Sequence, residues 1–170
     1  MKKKLSAIIL AIMCFSAASC GGAAEQTTTT TAQAEAQPAA VTFTASQVTE
    51  AVLTEITINS AIEKDKDSLA AYFPDMDTAG LTDVSYYMCA SGAYPDEIGV
   101  FVFESAQLAE TAKASVESRL EKQKATYESY TPEEMYKLED AVVEVRNNII
   151  IYSVTADNSR ANEIMTGFIG

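Results

Sequence analysis

The chain has 170 residues with 12 basic against 24 acidic side chains, a formal net charge of −12, and neither histidine nor tryptophan. Lack of histidine excludes histidine-dependent triads, general bases and metal sites, and the acidity makes nucleic acid and anionic lipid headgroups poor partners. Of the three cysteines, two fall within the first twenty residues, so a fold stapled by internal disulfides is excluded as well.

Residues Lys2, Lys3 and Lys4, the apolar run Leu5 to Phe15, and the small residues Ala17-Ala18-Ser19 before Cys20 form an export signal. Residues 1–19 are therefore expected to be a lipoprotein signal peptide. Cys20 would receive a diacylglyceryl group and palmitate-type acylation, which would hold the chain on the outer, extracytoplasmic face of the cell membrane. Two acyl chains suffice for stable anchoring. Cys14 does not fit, because Met13 is too large for the position before the cleaved bond. Ala17 stands where such boxes usually carry leucine, so ordinary secretory cleavage and an uncleaved anchor are the competing readings. The apolar run falls short of the ~20 residues of a spanning helix. Removal of the leader leaves 9 basic and 24 acidic residues, a net of −15. Residues 20–40, rich in Gly, Ala, Gln and Thr with the run Thr27 to Thr31, lack the apolar content to order themselves and read as a flexible tether. Its root-mean-square reach is ~25 Å, and its threonines are candidates for sugar attachment.

Residues 41–170 suit one domain with a single core. Ser46 is placed to cap a first helix with Val48, Val52, Leu53 and Ile56 as its apolar stripe. Glu63 to Gly80 reads as irregular or short helical structure. Val84 to Ala90 alternates as a strand, with Val84, Tyr86 and Met88 on one face and Ser85, Tyr87 and Cys89 on the other. Ile98 to Phe103 is apolar on both faces apart from Gly99, the pattern of a central strand, and residues 91–96 have the chemistry of a hairpin loop. Ser105 caps a long helix to about Tyr127 carrying Leu108, Ala112, Val116, Leu120 and Tyr127. Its opposite face, with Glu110, Lys113, Glu117, Glu121, Lys122 and Lys124, reads as solvated.

Thr131-Pro132-Glu133-Glu134 has the form of a capping box opening a short helix. A second hairpin, Ala141 to Arg146 and Ile149 to Thr155, turns at Asn147-Asn148, a pair that tolerates the positive φ angles of a type I′ turn. Asn158 or Ser159 caps a last helix with Ile164, Met165 and Phe168 on its apolar side. The predicted order is α-β-β-α-α-β-β-α, an α+β fold of four antiparallel strands with helices packed mainly on one face.

No catalytic constellation emerges. Cys89 lacks an activating base and reads as a buried structural thiol, no Ser-x-x-Lys motif or glycine-rich phosphate loop occurs, and no cofactor or resident metal is expected. Asp65-Lys66-Asp67 with Asp75-Met76-Asp77 is the best cation candidate, but it lacks a calcium-loop pattern and reads more simply as a solvated acidic segment. Tyr86, Tyr87, Tyr94, Tyr127, Tyr130 and Tyr136 divide between core positions and a recognition surface. The loop Tyr94, Pro95, Asp96 and Glu97 is the candidate interaction element, although its proline and acids could serve the turn alone.

The words Ala93-Tyr94-Pro95-Asp96-Glu97-Ile98-Gly99-Val100-Phe101 and Tyr130-Thr131-Pro132-Glu133, with the order of elements, resemble the small lipoproteins of Gram-positive bacteria described only as domain of unknown function 4358. The resemblance covers about Gln47 to Ile169. One departure is Asn147-Asn148, where a glycine-containing turn is expected. The resemblance implies a lipid-anchored exported protein and carries over no catalytic residue. The expected function is a non-enzymatic binding or interaction module of the cell envelope, with an envelope protein or wall component as partner. The alternatives are a small-ligand or cation-binding lipoprotein and a carboxylate-dependent hydrolase.

Overall fold

A computed structural model describes residues 42–170. The expected leader, Cys20 and the tether lie outside the described residues. Helix α1 (Ala45–Glu55) is capped by Thr44, not Ser46. The Thr44 hydroxyl accepts from Gln47 N while the Gln47 side chain accepts from Thr44 N, a reciprocal capping box.

After α1 comes a strand that the sequence pattern does not show, β1 (Ala61–Lys64). Four residues long, it has no alternating apolar face and exists through pairing with β2 (Leu81–Cys89) at the sheet edge, in the register Ala61↔Cys89 to Lys64↔Tyr86. The intervening stretch holds short 3-10 turns and α2 (Leu69–Tyr72), as expected of an irregular segment. Strands β2 and β3 (Glu97–Phe103) pair antiparallel, with Tyr86 opposite Gly99. Helix α3 (Ala106–Tyr130) runs from the Ser105 cap, whose hydroxyl accepts from Leu108 N. The short α4 (Met135–Glu139) follows, then β4 (Val142–Arg146), β5 (Ile149–Val154) and α5 (Asn158–Ile169).

The sheet therefore has five strands in the order β1-β2-β3-β5-β4, all antiparallel. Helices cover both of its faces, correcting the expectation of one covered face. The reason is visible in β3 and β5, whose residues are all buried. Ile98, Val100, Val102, Ile149 and Ile151 point to a core closed by α1 and α5. Phe101, Phe103, Ile150, Tyr152 and Val154 point to a second core closed by α2, α3 and α4. A strand apolar on both faces needs a layer on each side.

Three local details depart from their expected form. The Thr131 side chain makes no capping bond, and Pro132–Glu134 forms a 3-10 turn before α4, so the capping box is not realised there. The Asn147-Asn148 turn has positive φ only at Asn147 (54°), which is not the type I′ pattern. Asn148 is instead buried, its amide donating to Phe103 O at 2.6 Å while its own carbonyl accepts from Phe103 N. The last helix is capped by Asp157, whose carboxylate accepts from Arg160 N. Asn158 turns inward, accepting from Thr155 N and Ser153 Oγ and donating to Lys137 O.

Gly99 is required by the second core. A Cβ there would stand 2.6 Å from Phe101 Cε2, inside the packing of Phe101 against Tyr86. Phe73 stacks edge-on to both rings at 5.1 and 5.3 Å, contacts worth about 0.5–1.5 kcal/mol each beyond their buried area.

Candidate binding site

The loop between β2 and β3 meets α3 and α4 at one end of the sheet, and there the expected interaction residues divide. Tyr94 is exposed, whereas Pro95, Asp96 and Glu97 are buried. As a whole the segment is thus not an exposed loop. Glu97 is the first residue of β3 and lies on the face covered by α3. A carboxylate so placed needs a compensating charge, and Arg119 on α3 provides it. Arg119 Nε lies 2.9 Å from Glu97 Oε2, and its Nη2 also donates to Glu97 Oε1. Gln123, one turn further along α3, donates from Nε2 to the same oxygen at 2.5 Å.

The guanidinium has further partners. Its Nε also donates to Tyr86 OH at 3.1 Å, and its carbon lies 5.1 Å from the Tyr72 ring centre and 5.9 Å from that of Phe73. Burial opposes its charge, but Glu97 outweighs burial and holds Arg119 above its ordinary range. Burial first, then the charge of Glu97, pushes the Tyr86 and Tyr152 phenols well up.

A second ion pair sits beside the first. Lys137 of α4, only 6% exposed, places Nζ 2.8 Å from Asp96 Oδ2 and 2.7 Å from Glu134 Oε2. Burial raises Asp96 above its ordinary value against the lowering effect of Lys137. For Lys137 itself, burial works downward but the bonds to Asp96 and Glu134 prevail and raise it. Asn158 grips the Lys137 carbonyl from α5, so this lysine fixes α4 through backbone and side chain together. The Tyr94 and Tyr136 rings stand 5.3 and 6.0 Å from Nζ, outside the pair. The exposed Tyr130 ends α3, and one turn before it Tyr127 donates its hydroxyl to Gly92 O at 2.9 Å.

Between these groups lies a pocket of about 210 Å³. Its lining includes Met88, Tyr94, Arg119, Lys122, Gln123 and Tyr127. Cys89 borders it but is buried, its thiol 3.2 Å from Ser91 Oγ. Burial pushes the Tyr127 phenol up to about 12.

The acidic segment earlier in the chain is used differently. Asp65 accepts from Ser68 N at 2.8 Å and Asp77 from Ala79 N at 3.0 Å, each capping a 3-10 turn, while Lys66 Nζ donates to Leu81 O at 2.7 Å. Among the described residues, His, Cys, Asp and Glu form no group of three or more placed to hold a metal ion.

The partners Arg119, Gln123 and Lys137 are not apparent from the sequence pattern alone. One signal was available. Gln123 interrupts the buried stripe Val116, Leu120, Tyr127, and Arg119 lies one turn before it. Two polar residues on the inner face of a helix imply a buried polar partner, and an acid heading the most apolar strand is the natural one.

Comparison with curated proteins and with solved structures finds no match. A family model does match, over residues 54–155. That span is narrower than Gln47 to Ile169. It holds the whole sheet and every ion-pair partner of this site, but omits α5 and nearly all of α1, the helical layer of one core. By this match the chain belongs to the family described as domain of unknown function (DUF4358).

Proposed function

We propose that the chain is a lipid-anchored, extracytoplasmic binding module of the cell envelope, held through Cys20 and the tether of residues 20–40, that meets an envelope protein or wall component with the tyrosine-bearing end of its sheet. The observation that carries this reading is the setting of Tyr94 and Tyr136. Their rings are exposed and flank Lys137, while everything beneath them is locked in buried ion pairs. Tyrosine on a rigid base offers large contact area with little entropy to lose. The same ion pairs favour a non-catalytic role over a carboxylate hydrolase. A general acid or base needs a carboxyl free to exchange its proton with substrate, and both Asp96 and Glu97 are tied to cations.

The test is photocross-linking in intact cells with benzoylphenylalanine at Tyr94 or Tyr136, and at Phe168 on the other layer as control. A discrete product from Tyr94 and Tyr136 but not Phe168 is expected. Equal labelling at all three sites, or none at the tyrosines, would overturn the assignment of this surface. Anchoring is tested separately by labelled palmitate, which Cys20→Ser should abolish together with membrane retention.

A further inference from the structure

Lys137 meets two carboxylates with one charge. Asp96 Oδ2 and Glu134 Oε2 stand 2.8 and 2.7 Å from its Nζ, and Asp96 is only 3% exposed. The surrounding groups do not correct the imbalance. Glu97 of β3 and Arg119 of α3 neutralise each other. Cys89 of β2 and Lys122 and Tyr127 of α3 share the pocket wall with Asp96, but Lys122 is exposed to solvent. Tyr94 and Tyr136 offer ring faces, and Asn158 of α5 takes the Lys137 carbonyl. Glu133, Glu139 and Asp140, the other acids of this turn and helix, are exposed. The cluster therefore encloses one negative charge in excess beneath the tyrosine surface. Like charges so close favour the protonated form of the more buried member. Burial, with the charge of Glu134 added to it, holds Asp96 above its ordinary range against the pull of Lys137.

We propose that Asp96, Lys137 and Glu134 form an acid-tightened clasp, in which Asp96 takes up one proton below neutral pH and α4, with Tyr136, is then held more firmly against the β2–β3 loop. When α4 opens, Asp96 meets water and returns to its ordinary range. It thus binds its proton more tightly in the closed form, and acidification favours closing. The proton enters during such openings, so the closed form needs no exposed carboxyl. Lys137 stays charged throughout, because its own range is raised, and it keeps Glu134 as a one-to-one partner once Asp96 is neutral. Proton uptake stands on the cluster alone. Its consequence, a recognition surface that is firmest in acidified surroundings, rests on the reading of Tyr94 and Tyr136 given above.

The experiment is hydrogen exchange read by NMR on the full-length chain in detergent micelles at pH 7.5 and 5.5. Each rate is divided by its intrinsic value, and the protection of α4 is referred to that of α1, which cancels the general relief of charge repulsion in acid. Relative protection of α4 should rise in acid, by up to about tenfold for each pH unit by which closure displaces Asp96. Asp96→Asn, of the same shape and neutral at both pH values, should abolish the rise. Glu134→Gln, which leaves Asp96 and Lys137 as a balanced pair, should reduce it, whereas Glu133→Gln, at an exposed acid of the same turn, should leave it intact. The carboxyl carbon of Asp96, titrated in the unsubstituted chain, should show a midpoint above the ordinary aspartate value. A midpoint at or below that value, protection of α4 that is unchanged or falls in acid, or a rise that survives Asp96→Asn overturns the clasp. A flat profile beside positive cross-links at Tyr94 and Tyr136 removes the clasp and leaves the surface standing, while a rise beside failed cross-links does the reverse.

Discussion

Arg119→Met is the sharpest test of the buried network. The guanidinium side chain is 16% exposed and the Glu97 side chain 1%, so truncation leaves a carboxylate enclosed by Tyr86, Phe73 and the sheet without its cation. Breaking a buried pair in this way costs about 3–5 kcal/mol, a large share of the ~5–15 kcal/mol that holds a typical domain together. With a urea dependence of ~2 kcal/mol per molar, the unfolding midpoint should fall by roughly 1.5–2.5 M at pH 7. The loss has a signature that simple loss of packing would lack. Adding Glu97→Gln removes the stranded charge while keeping an acceptor for Gln123, and should restore most of the midpoint. Urea denaturation of wild type, the single variant and the double variant at pH 7, followed by circular dichroism, is sufficient. A single variant losing less than about 1 kcal/mol, or no rescue by the second substitution, would refute the placement of this pair.

Three further outcomes follow from the same geometry. Lys137→Met should cost about 3 kcal/mol by stranding Asp96 and Glu134, and hydrogen exchange should show α4 loosened while α1 stays protected. Gly99→Ala should destabilise by at least 1–3 kcal/mol, because its Cβ would meet Phe101 Cε2 at 2.6 Å; a thermal midpoint unchanged from wild type would contradict that packing. The Tyr127 phenol, raised from its ordinary 10 to about 12, favours the fold in its neutral form. Its contribution is complete below pH 10 and is lost as the pH rises through about 12. Absorbance titration at 295 nm should therefore show a late-ionising tyrosine that Tyr127→Phe removes.

Much of the fold was legible because periodicity reports burial. The stripe of α3, the Ser105 cap and the two hairpins follow from residues local in sequence. The short edge strand β1 was not legible, since neither of its faces is buried and pairing alone defines it. Nor was the second helical layer. Ile98, Val100 and Val102 announce that both faces of β3 are apolar, but only the packing of α1 and α5 shows what covers the second.

At the site, composition, the absence of histidine and the acidic loop carrying Tyr94 were available from the sequence. It could not say that Asp96 and Glu97 turn inward while Tyr94 turns out. That outcome depends on Arg119 and Lys137, 22 and 41 residues away along the chain. Local pattern records which residues avoid water. A buried charge survives only where a distant opposite charge arrives beside it, and only the tertiary structure brings the two together.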